Sequence, residues 1–89
     1  MVKLLRTLLL AIALAIGAIQ PSFAAQPALF QTEQQAHDHC PGDVVVWLNI
    51  PSGVYHFQGQ RWYGNTKSGA FVCEKEADVA GDRPTKNGQ

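Results

Sequence analysis

Three histidines and two cysteines carry most of the reactive side chains of this 89-residue chain. His37, His39 and Cys40 fall within four positions, and His56 and Cys73 stand further on. Imidazole and thiolate are ligands that zinc and copper favour, so one reading of the set is a metal centre. The spacing argues against it. His-x-His-Cys running straight into Pro41-Gly42 is not a four-ligand pattern, and a disulfide-bonded cysteine has no thiolate to offer. The expectation is two surface histidines ahead of a disulfide, with no metal and no cofactor. His56 follows Tyr55 and alternates with Val54, which reads as a fold feature whose imidazole bonds a turn carbonyl.

Catalysis finds even less support. No Ser-His-Asp arrangement can be placed, and Cys40 and Cys73 are far from a Cys-x-x-Cys redox pair. An acid–base pair would need Asp43 or Glu74 beside His56, in a domain with little room for a concave pocket. The chain is therefore read as no enzyme, with no catalytic residue assigned. Binding chemistry is better represented. Arg61, Trp62, Tyr63, Asn65 and Lys67 form a basic and aromatic loop, a composition that stacks bases and holds phosphates. Trp47, Tyr55, Trp62 and Tyr63 are the flat rings that a sugar or peptide platform would use, and core packing competes for the same rings. The candidate binding residues are Arg61, Trp62, Tyr63 and Lys67. Neighbours in an extended chain point to opposite faces, so one of Trp62 and Tyr63 is expected in the core. The other, exposed beside Arg61, is the expected contact.

The elements that must position these side chains occupy the second part of the sequence. Residues 1–24 read as a secretory signal peptide. Lys3 and Arg6 precede an apolar run over 8–19, Gln20-Pro21 breaks it, and Ser22-Phe23-Ala24 supplies a cleavage site after Ala24. The run is short for a membrane span, and no cysteine near the cut offers a lipid anchor. Cleavage leaves 65 residues with five Lys and Arg against seven Asp and Glu, a net of −2. That balance disfavours a dedicated nucleic-acid binder. The export signal implies a periplasmic or secreted protein, where Cys40 and Cys73 are expected to pair. An envelope protein or a glycan is then the expected class of partner, with no membrane span after cleavage.

Residues 25–39 read as a lead-in, flexible over 25–31, that contains a short helix with Thr32 as N-cap and Gln35 completing a capping box. Residues 40–83 read as the compact domain. The β-branched run over 43–50 is the clearest strand, Pro51-Ser52-Gly53 turns it, and 54–57 returns as the second arm of a hairpin. A glycine-punctuated loop over 59–69 leads to a third strand at 70–73. Residues 74–80 form a helix with acidic residues in its first turn and Gly81 as its stop. Residues 82–89 read as a frayed polar tail, flexible from 84 onward. The expected fold is α+β: a three-stranded antiparallel sheet, one packed C-terminal helix, a short N-terminal helix and one disulfide.

Val54-Tyr55-His56, Gly59, Arg61, Tyr63-Gly64, Thr66-Lys67 and Gly69, followed by Glu76-Ala77 and Ala80-Gly81, form a pattern of their own. It resembles a group of short exported bacterial proteins of uncharacterised function with a VYH-G-R-YG-TK-G hairpin and an EA-AG helix. More distantly, residues 40–84 are similar to the Ada-type metal-binding domain and related tails of secreted nucleases. That family holds zinc with four cysteines. Here Gly59, Gln60 and Arg61 stand where it places a ligand, and Arg83-Pro84-Thr85-Lys86 replaces its Cys-x-x-Cys. The resemblance implies the fold with its zinc ligands lost and a disulfide in their place. The functional expectation is a small exported binding or accessory module. The alternative is a polyanion- or nucleic-acid-binding domain related to the Ada-type fold.

Overall fold

A computed structural model describes residues 26–89; the expected signal peptide, residues 1–24, lies outside them. Helix α1 spans Glu33–His39, followed by strands β1 (Val45–Asn49), β2 (Val54–His56) and β3 (Gly69–Cys73). Helix α2 (Glu74–Val79) follows β3 without a break, and a two-residue strand β4 (Arg83–Pro84) closes the chain's path. The sheet order is β3-β1-β2-β4. β1 pairs antiparallel with both β2 and β3, as the expected hairpin and third strand require. β4 pairs parallel to β2, so the sheet is mixed and four-stranded rather than three-stranded and antiparallel. The fold is thus α+β with two helices and a Cys40–Cys73 disulfide.

Each element starts and stops for a local reason. The Thr32 side chain accepts from the Gln35 N–H, and the Gln35 side chain accepts from the Thr32 N–H, closing the expected capping box. α2 has no cap from its own preceding side chain, because Cys73 is in the disulfide. Asp43, remote in sequence, replaces it: its Oδ2 accepts from the Lys75 N–H at 2.9 Å and its Oδ1 from the Val44 N–H at 2.7 Å. A carboxylate at a helix N-terminus also complements the helix dipole. α2 ends as a Schellman motif. Gly81 takes φ +91°, its N–H donates to Asp78 O, and the Asp82 N–H donates to Ala77 O. That turn aims the chain back at β2, where Arg83 N donates to Gly53 O and Thr85 N to Tyr55 O. Pro84 stands between the two donors, so its missing N–H costs the sheet edge nothing.

Alternation along the strands divides the sheet. One face carries the buried Val46, Leu48, Tyr55 and Val72, which pack with Ala77 of α2. The other carries Val45, Trp47, Asn49, His56 and Phe71. Phe57 still packs against the first face, and the loop that follows it folds onto the second. Tyr63 packs edge-on against Phe71 at 5.5 Å and donates its hydroxyl to Glu33 of α1, while Trp47 Nε1 donates to Thr66 Oγ1 at 2.8 Å. The lead-in is also ordered by contacts. Phe30 and Phe71 exchange backbone hydrogen bonds of 2.9 Å, which adds a bridge at the β3 edge.

Gly69 is needed for space rather than for turning. A Cβ built there falls into the Trp47 indole, with Nε1 only 2.7 Å away. Overpacking of this kind costs about 1–3 kcal/mol. Gly69→Ala should therefore lower the melting temperature by several degrees or more, measured by circular dichroism. The penalty should shrink in a Trp47→Val background; an equal penalty in both would show that the indole is not its cause.

Candidate functional site

The three histidines go to separate places. His39 Nε2 lies 2.8 Å from Glu76 Oε2, linking the end of α1 to α2, and its ring packs against Phe30. Glu76 Oε1 accepts from the Ala28 N–H, and this bond, helped by His39, holds its carboxyl below its ordinary range. Cys73 Sγ lies close to the same pair, but it is bonded to Cys40. An imidazole and one carboxylate fall short of the three or four protein ligands of a zinc site. His37 lines an open groove beside Glu33, Val45 and Phe57. His56 is on the far side of the hairpin, in β2.

The acid–base partners proposed for His56 are engaged elsewhere. Asp43 caps α2. Glu74 Oε2 accepts from the Tyr55 hydroxyl at 3.1 Å, and Asp78 Oδ1 accepts from the same hydroxyl at 2.6 Å. Burial, then these two carboxylates, push the Tyr55 phenol well above its ordinary value. Asp82 also titrates high, chiefly through burial and then through Asp78 beside it.

Trp62 and Tyr63 correct the expected division of roles: both are half-buried. The alternation argument needs extended chain, and this segment is a succession of turns in which Tyr63 N donates to Gln60 O and Asn65 N to Trp62 O. Tyr63 is a structural ring, held by Phe71 and Glu33. Burial, with Glu33 at its hydroxyl, pushes its phenol up as well. Trp62 is fixed by its backbone, whose N–H donates to Gln89 O. The exposed Arg61 lays its guanidinium over the indole, 4.8 Å from the ring centroid. Lys67 is exposed on the turn before β3.

Trp62 also lines a groove of about 310 Å³ that sequence reasoning missed. Its other walls include His56 of β2, Asn49 at the end of β1, Ser52 from the hairpin turn, Thr66 from the loop, and Thr85 and Gln89 from the tail. His56 is only 6 % exposed, and among the described residues its Nδ1 has no hydrogen-bond partner, so the expected bond to a turn carbonyl is absent there. A buried polar atom left unpaired costs about 1–3 kcal/mol, an expense the core does not require. The signal that could have found it was His56 sharing a face with Trp47 and Asn49. What stayed hidden was the tail folding back to build the remaining wall.

On the neighbouring edge, exposed Leu29 and Ile50 flank Trp47 in an apolar groove that no charged side chain among the described residues lines. No helix among the described residues is long and apolar enough to cross a membrane. A disulfide of this kind belongs to oxidising compartments. Comparisons with protein-family models, with curated proteins and with solved structures find no match to this chain.

Proposed function

We propose that this protein is a small exported binding module whose contact surface is the Arg61–Trp62 pair and the groove beside it. The observation that carries the reading is the pair itself: an exposed guanidinium stacked on a half-buried indole, at the rim of a groove. Cation–π stacking presets both side chains, so little rotamer freedom is left to lose when a partner arrives. Tryptophan and arginine are also the residue types over-represented among binding hot spots. The loop is anchored at both ends, by the Gln60 side chain on the Phe57 N–H and by Thr66 on Trp47, which gives it a rigid base.

The polyanion alternative would draw on Arg61, Lys67, Lys75 and Arg83. These lie on the loop, the turn before β3, α2 and β4 respectively, and β3 and β4 are opposite edges of the sheet. That dispersal favours a protein or glycan partner. The test immobilises the oxidised protein, passes envelope extract over it, and compares Arg61→Ala/Trp62→Ala with the unmodified chain. The double variant should keep its fold and lose at least about ten-fold in capture, which is roughly 1.4 kcal/mol of binding. Unfolding of the variant, or equal capture by it, overturns the reading.

A further inference from the structure

We infer that the groove between His56 and Trp62 is a site for an uncharged saccharide; the inference rests on the binding reading above and names its ligand class. The first argument is charge. Among the described residues, no Lys, Arg, Asp or Glu side chain lines the groove. A phosphate or sulfate seated there would meet no cation within it, whereas anion sites rely on charge-assisted bonds. A neutral polar ligand suffers no such loss.

The second argument is the unused hydrogen-bonding capacity of the walls. Thr66 Oγ1 accepts from Trp47 Nε1, which leaves its own O–H to donate. Asn49 donates through Nδ2 to Ser52 Oγ, which leaves its Oδ1 to accept. Gln89 accepts at Oε1 from Asn87 Nδ2, which leaves its Nε2 to donate. His56 adds a buried ring with an unpartnered nitrogen. Thr66, Asn49 and Gln89 are thus each held by one bond and free in another, a preorganised mixture of donors and acceptors. Sugar hydroxyls, which donate and accept at once, match a mixed set; a ligand of only donors or only acceptors does not.

The third argument is shape. The indole of Trp62 supplies a flat apolar wall among these polar groups, which suits the C–H face of a pyranose ring. A volume of about 310 Å³ is at the small end of ligand pockets, enough for a mono- or disaccharide.

The test titrates the oxidised, 15N-labelled protein with glucose, N-acetylglucosamine and its β1,4-linked dimer, with inorganic phosphate as the charged control. At least one sugar should give saturable shifts at Asn49, Thr66, Gln89 and the Trp62 indole, and phosphate none. His56→Phe and Gln89→Ala should each weaken binding about ten-fold. His56→Phe should melt no lower than the parent, because it removes an unpaired buried nitrogen. Absence of saturable shifts with every sugar overturns the inference, as does saturable phosphate binding alone or undiminished affinity in both variants. Capture of an envelope protein through Arg61 and Trp62 with no sugar response sinks this inference and leaves the binding reading standing. Sugar binding that Arg61→Ala/Trp62→Ala loses, with envelope capture undiminished in that variant, does the reverse.

Discussion

Replacing both Cys40 and Cys73 with alanine is expected to cost roughly 3–4 kcal/mol of folding stability, from the chain entropy released by opening a 33-residue link. Cys40 is the C-cap residue of α1 and Cys73 the N-cap residue of α2, with Cα atoms 6.4 Å apart. One covalent bond therefore joins the end of one helix to the start of the other. Cys73 is fully buried, so truncation adds a packing loss to the entropic one. The neighbouring His39–Glu76 pair cannot compensate, since exposed ion pairs contribute at most about 1 kcal/mol. A domain of this size has a total stability of roughly 3–10 kcal/mol. The double variant should consequently be largely unfolded at physiological temperature, and the parent protein should behave likewise in strong dithiol reductant. Chemical denaturation of the two forms measures the difference. A loss under about 1 kcal/mol would place the stability in the core alone.

What the sequence made legible was local. The capping box at Thr32, the Pro51-Ser52-Gly53 turn and the Gly81 stop each depend on residues within a few positions of one another, and each is present. The disulfide was legible from compartment and count rather than from geometry. Long-range pairings of weak local signal were not. Arg83-Pro84 has no strand character of its own; it pairs with β2 because the Schellman turn delivers it there. The lead-in looked flexible because Phe30 finds its partner, Phe71, only in the folded sheet. The same limit governs the candidate site. Arg61 and Trp62 were legible as a cation beside an aromatic, and their stacking realises that pairing. The groove was not, because its walls come from segments separated by up to 40 positions, from Asn49 to Gln89. Periodicity misled at Trp62-Tyr63, where i to i+3 backbone bonds replace the extended chain that alternation presumes.

Tyr55→Phe should be the most costly removal of a single oxygen atom among the described residues, at about 2–3 kcal/mol, since bonds to charged acceptors contribute about 1.5–3 kcal/mol. The ring is 2 % exposed and packs at 5.7 Å on Phe57, so phenylalanine keeps the core filled and the loss isolates the hydroxyl. That hydroxyl is the common donor to Glu74 and Asp78 on α2. Without it two carboxylates on successive turns face each other with no proton between them, and Asp82 adds a third. The pH dependence follows from the same contacts. The folded phenol titrates well above its ordinary value of 10.0. Above pH 10 the unfolded chain gives up this proton while the folded chain keeps it. The unfolded state then binds fewer protons, so stability falls as pH rises. Below pH 10 both states hold the proton, and this group contributes no slope. Tyr63 adds a weaker slope of the same sign, because its phenol is raised by similar causes but is half-exposed. Urea denaturation between pH 8 and 12 should show the parent losing stability steeply above about pH 10, near the ordinary tyrosine value. Tyr55→Phe should be less stable at pH 8 yet decline less steeply above pH 10, so that the two curves converge. Parallel curves would show that the Tyr55 proton is not held by α2, and that the contact of helix and sheet rests on Val46, Leu48, Val72 and Ala77 without it.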